Sequence, residues 1–99
     1  MNVTMIRAKV KDESIAEVEA AVKTWFAAIE QAQPKGVHYA SCRLPDSATF
    51  VIMLKLDEGI ENPLPTVPEF TEFQASLQNW LAEPPAPEQL TVIGSYNLF

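Results

Sequence analysis

The segment ATFVIMLKL, Ala48 to Leu56, places five large apolar residues in succession, Phe50 through Leu54. It contains no glycine or proline, and its β-branched and aromatic content marks it as a strand. An antiparallel strand with one wet face alternates apolar with polar residues. An unbroken run therefore predicts a central strand covered on both faces.

The neighbouring segments extend this into a sheet. VHYASCRL, Val37 to Leu44, is a second strand, and the turn residues Pro45 to Ser47 join it to the first as an antiparallel hairpin. VTMIRAKV, Val3 to Val10, is a third, closed by KDES. Ser14 followed by Glu17 then reads as a capping box. Ile15, Val18, Val22, Trp25 and Ile29 form one apolar stripe of a helix that Pro34 and Gly36 end.

DEGIENPLPTVP, Asp57 to Pro68, is a loop with three prolines, either a lid or a rigid crossover. Thr66 and Glu69 suggest a second capping box, and Phe70, Phe73, Leu77, Trp80 and Leu81 the stripe of a second helix. EPPAP stops that helix, and LTVIGSYNLF, Leu90 to Phe99, reads as the last strand.

The order βαββαβ in 99 residues predicts one ferredoxin-like α+β domain over 1–99. Its four-stranded antiparallel sheet would carry both helices on one face. Two helices cover only one side, so the doubly apolar central strand calls for a second copy packed sheet to sheet.

Net charge is −6, and residues 56–99 hold seven acidic residues and no lysine or arginine. That field argues against nucleic acid and anionic membranes as partners. No apolar run approaches a membrane span, and the first residues lack signal-peptide character. With a single cysteine, a cytoplasmic location is expected.

His38 and Cys42 are the only residues of their types. On a strand rising ~3.3 Å per residue they stand about 13 Å apart, too far for a thiol–imidazole dyad. One histidine and one cysteine also make a poor metal site, so neither metal nor cofactor is expected. Cys42 reads as a small buried hydrophobe. His38 shares its face with Ala40 and Cys42, small residues suited to packing beneath helices. There it could act as a general base in a pocket between sheet and helix, or serve as a structural histidine. Val37, Tyr39, Ser41 and Arg43 would then face the sheet-to-sheet interface with Arg7, Lys9 and Lys55. Trp25, Phe70, Phe73 and Trp80 could wall an apolar pocket for a flat aromatic ligand, or fill the core. Gln74 and Asn79 are solvent-face residues unless the pocket opens toward them.

AEVEAAVKTWFAAI, PKGVHYASCRLPDSATFVIMLKL, PEFTEFQASLQNWL and LTVIGSYNLF, taken together, resemble the dimeric α+β barrel superfamily. The similarity is to small proteins of the antibiotic-biosynthesis-monooxygenase type, in an uncharacterised bacterial branch. The resemblance implies a homodimer with sheets back to back and a pocket in each protomer between sheet and helices. It implies cofactor-independent oxidation of electron-rich aromatics such as quinols. Haem-degrading relatives combine an Asn, a Trp and a helical His; here the only histidine is on a strand. Two functions follow: a monooxygenase-like enzyme using His38 for proton transfer, or a non-catalytic homodimer that binds a small apolar ligand or plays a structural part.

Overall fold

The computed structural model describes residues 2–45 and 47–98. The chain runs β1 (Asn2–Lys9), α1 (Ile15–Ala32), β2 (Val37–Arg43), β3 (Thr49–Leu56), α2 (Glu69–Trp80) and β4 (Ala86–Thr91). The sheet is antiparallel throughout, in the order β2-β3-β1-β4. This is the ferredoxin-like βαββαβ arrangement expected from the hydrophobic pattern.

Pairing register assigns each side chain to a face. Ile6 lies opposite Ile52, and Ala8 opposite Phe50. Tyr39 lies opposite Leu54, and Ser41 opposite Ile52. These residues face the helices: Trp25 packs with Tyr39 and Leu54, while Val18 packs with Phe50. The other face is built from rows. His38, Lys55, Val3 and Leu90 lie level; next come Ala40, Met53, Met5 and Glu88, then Cys42, Val51, Arg7 and Ala86. The unbroken run in β3 thus supplies Phe50, Ile52 and Leu54 to the core, and Val51 and Met53 to an apolar band on the open face.

The α1 stripe packs inward as expected, with Val18 and Trp25 buried and Ile15, Val22 and Ile29 against them. Neither capping box forms. Ser14 is buried and makes no side-chain cap; its N–H donates to the Lys11 carbonyl at 2.9 Å in a 3₁₀ turn leading into α1. Thr66 Oγ1 donates to the Pro63 carbonyl at 2.6 Å, closing another 3₁₀ turn rather than capping α2. In both places the local turn competes for the same hydroxyl or its backbone. The 57–68 loop is anchored, since Leu64 and Val67 are buried against Trp25.

The last strand is displaced from its expected position. APEQLT forms β4, and residues 92–98 are not paired in the sheet; Phe99, the end of the expected strand, lies outside the described residues. Pro87 is tolerated because an edge strand bonds a neighbour on one side only. Leu98 borders the same hollow as His38, Ala40 and Met53, so the tail crosses the open face from β4 toward β2. Along it Ile93 is 100%, Tyr96 89% and Leu98 69% exposed.

Gly36 enters β2 with φ +77°, and a Cβ placed there would lie 2.9 Å from Ile60 Cγ1. Gly59 has φ +79°, and a Cβ placed there would meet nothing within 4 Å among the described residues. Alanine at either site carries the left-handed backbone cost of about 1–2 kcal/mol. Gly36→Ala should lose more stability than Gly59→Ala in urea denaturation, the difference being the Ile60 clash. Equal losses would remove that contact from the account.

Candidate functional site

Both helices cover the same face of the sheet, where Trp25 of α1 stacks on Phe73 of α2. Glu19 of α1 accepts a 2.7 Å hydrogen bond from Arg43 of β2, and Phe26 stacks on Tyr39 at 5.0 Å and 7°. The last turn of α2 is tied to the end of β1, the Lys11 N–H donating to the Trp80 carbonyl at 2.8 Å. Between the two helices and the sheet remains a cavity of about 130 Å³. Ile6, Ala8, Phe50 and Ile52 form its sheet side. Val22, Trp25, Phe26, Phe73 and Leu77 form its helix side.

Its polar side chains are the Trp25 indole, Tyr39, Ser41 and Gln74; no charged residue or histidine lines it among the described residues. Trp25 is 2% exposed, so its N–H needs a partner inside the protein. Trp25 Nε1 donates to Tyr39 Oη at 3.3 Å. With its oxygen accepting that bond, Tyr39 keeps its own O–H as a donor. Burial pushes the Tyr39 phenol above its ordinary value, the Trp25 hydrogen bond opposing this in part. The hydroxyl therefore stays protonated at neutral pH.

The four expected aromatic residues separate. Trp25 and Phe73 line the cavity, stacked at 5.6 Å and 11°. Phe70 sits behind Trp25 at 5.8 Å, with Leu64 and Val67, outside the lining. Trp80 packs with Val10 and Phe50 and does not line it either.

The parity of β2 is opposite to the expected one. Tyr39 and Ser41 face the helices, whereas His38, Ala40 and Cys42 lie on the open face. The aromatic ring of Tyr39, not the small side chains, occupies the room beneath α1. His38 Nε2 donates to Asp57 Oδ1 at 3.0 Å, and Lys55 Nζ donates to the same oxygen at 3.3 Å. Those two bonds, His38 first, hold the Asp57 carboxyl below its usual range. Cys42 is exposed rather than buried, because it sits on the uncovered face of an edge strand. Arg43, expected at an interface, pairs with Glu19 and donates from Nη1 to the Leu44, Pro45 and Ser47 carbonyls, bracing the hairpin.

Gln74 is exposed yet lines the cavity, so the cavity opens toward it. Tyr39 and Ser41, expected on the interface face, line the cavity instead. The signal that separates the faces was in the strand: Tyr39 is its one large ring, and a ring needs the deeper side.

No protein-family model matches the chain, and no curated protein matches it in sequence. Solved structures do. One from Caulobacter crescentus, provisionally named an antibiotic biosynthesis monooxygenase, aligns with TM-score 0.77 at 18% identity, covering 94% of this chain and 90% of that one. A second of the same provisional name, from Nitrosomonas europaea, aligns with TM-score 0.74 at 15% identity, covering 95% and 100%.

The chain shares the fold of these structures.

A conserved protein from Methanosarcina mazei shares this fold too, with TM-score 0.71, 17% identity and 91% of each chain covered. No helix among the described residues is long and apolar enough to cross a membrane.

Tyr39 links this site to stability at high pH. Above the ordinary tyrosine value of about 10, the unfolded chain ionises first, while folded Tyr39 holds its proton. The unfolded state then binds fewer protons, so stability falls as pH rises past that point. The urea midpoint should decline less steeply above pH ~10 in Tyr39→Phe than in the parent. Parallel curves would mean that Tyr39 titrates as it does in water.

Proposed function

We propose that the cavity binds a small aromatic molecule, and that the chain is a cofactor-independent, monooxygenase-like enzyme acting on a quinol or related electron-rich ring. The observation that carries this is an apolar cavity of about 130 Å³ into which one oriented hydroxyl, that of Tyr39, can donate. Apolar walls remove water from the ring, and a fixed donor favours charge developing on a ring oxygen. For a hydroquinone the reaction balances without another reductant: the ring and O₂ give the hydroxyquinone and water. One oxygen atom enters the ring, the other leaves as water, and the substrate supplies all four electrons. The provisional names of the similar structures favour the same reaction class.

His38 lies on the opposite sheet face with Asp57, so this chemistry does not route a proton through it. The absence of charged side chains among the described lining residues favours a second reading, a non-catalytic small-ligand-binding or structural homodimer. Oxygen uptake with hydroquinone separates them. Tyr39→Phe should lower kcat roughly 10²-fold, as loss of a buried oxyanion donor does. His38→Ala should turn over at the parent rate. No uptake above the uncatalysed rate by the parent protein would leave only binding or a structural role.

The chain is further proposed to be a sheet-to-sheet homodimer acting in the cytoplasm. Met5, Val51, Met53 and Leu90 on the open face support this, as do the exposed Ile93, Tyr96 and Leu98. The lone cysteine and the acidic charge suit a reducing compartment without a nucleic-acid or membrane partner. Light scattering at micromolar concentration should give the mass of two chains, and Met53→Asp the mass of one with helical circular dichroism retained. A one-chain parent would end the dimer proposal.

A further inference from the structure

A second hollow lies in the seam between α1 and α2. Its volume is about 230 Å³, and no strand residue lines it among the described residues. α2 supplies Glu69, Glu72, Phe73 and Ser76, and α1 supplies Ala21, Thr24 and Trp25. Those positions recur at spacings of three and four, so each set shares one face of its helix. The stack of Trp25 on Phe73, with 5.6 Å between ring centres, joins the two faces and borders both this hollow and the inner cavity. Trp25 is 2% exposed, so half-buried Phe73 and Ala21 give the hollow most of its apolar floor. Thr24, Glu69 and Glu72 are exposed, and the hollow opens to solvent through them.

Charge and size select the occupant. Glu69 and Glu72 stand one turn apart on α2, with Cβ atoms about 5–6 Å from each other, inside the ~8–10 Å over which salt screens charge. No ion pair among the described residues engages either of them, whereas Glu19 and Asp57 each meet a cation. Both lie in the first turn of α2, where the helix dipole sets about half a positive charge against two carboxylates. The hollow therefore favours a cation and repels an anion. Calcium or magnesium needs about six oxygen ligands, which an apolar floor does not supply. No group of three or more side chains that could hold a metal occurs among the described residues. An ammonium head has three donors, enough for both carboxylates and one hydroxyl oxygen. Thr24 Oγ1 donates to the Ala20 carbonyl at 3.2 Å, which leaves that oxygen to accept. A hydrocarbon body would cover Ala21 and Phe73, and the Phe73 ring also attracts a cation. A cavity of about 150 Å³ admits benzene, so this one has room for a ring on a short chain.

We infer that the seam between α1 and α2 is a binding site for a small primary ammonium with a short apolar body. Glu69 and Glu72 hold the charged head, and Phe73 with Ala21 receives the body. The site is separate from the aromatic site proposed for the inner cavity, and it stands whether or not the chain is an enzyme.

Amide and methyl NMR titration with phenethylammonium, phenethyl alcohol, methylammonium and hydrocinnamate tests it. Phenethylammonium should bind about tenfold more tightly than the neutral alcohol, the sum of two exposed ion pairs. It should shift the Thr24 and Ser76 amides and leave the Ile52 methyl groups unmoved. Methylammonium, which has the charge without the body, should bind more weakly than phenethylammonium, and hydrocinnamate should not bind. Glu69→Gln and Glu72→Gln should each weaken phenethylammonium about threefold. The double variant should bind it no better than the alcohol. Both residues are exposed, so these changes leave the core intact. Equal affinity for amine and alcohol, shifts at Ile52 in place of Thr24 and Ser76, undiminished binding to the double variant, or no binding of phenethylammonium to the parent would each overturn the inference.

Discussion

A buried indole must place its N–H, and the rest of this molecule is arranged around how Trp25 does so. The ring is 2% exposed, and its nitrogen donates to Tyr39 across the gap between helix and sheet. That one bond sets the parity of β2, since Tyr39 must point toward α1. It also orients the Tyr39 hydroxyl, and it fixes the wall on which Phe73 stacks at 5.6 Å. Leu64 and Val67 of the 57–68 loop close over the same ring, which makes that loop part of the core rather than a lid. Losing the indole would open a void of the costliest kind and leave Tyr39 without its donor.

The parity of β2 in turn divides the sheet by function. One face, with Ile6, Ala8, Tyr39 and Ile52, meets the helices and borders a largely apolar cavity. The other, with Met5, Val51 and Met53 at its centre, carries basic residues around an apolar band, although the chain as a whole is acidic. Arg7, Lys9 and Lys55 all lie there, and Asp57 joins Lys55 and His38 at one corner. The proposed ligand site and the proposed assembly face are thus separated by the thickness of the sheet.

Much of this was legible in the amino-acid sequence, and the failures have physical causes. The stripes of α1 and α2 recur at helical spacing because each helix buries a single side, so Val18, Trp25 and Phe73 could be placed from periodicity alone. The doubly apolar β3 was legible because its run supplies Phe50, Ile52 and Leu54 to the core and Val51 and Met53 to the open face. Edge strands gave less. β4 is polar and mostly exposed, and its APEQLT carries less apolar character than the unpaired VIGSYNL that follows. Hydrophobicity there marks a surface awaiting cover rather than a strand. In β2 the small residues Ala40 and Cys42 suggested close packing, yet the volume to be filled demanded the ring of Tyr39. Gln74 could not be assigned from its own surroundings, because it lines the cavity from an exposed position.

The central claim is that a small ring occupies the helix side of the sheet. Adjacent residues of β3 report on it from opposite faces, Ile52 from the cavity and Met53 from the open side. Intermolecular NOEs from the ring protons of bound 1,4-benzenediol, measured without oxygen, read the two directly. The account predicts contacts to the methyl groups of Ile52 and Ile6 and none to those of Met53 and Met5. Contacts to Met53 and Met5 with silence at Ile52 would place the ligand on the open face and contradict it.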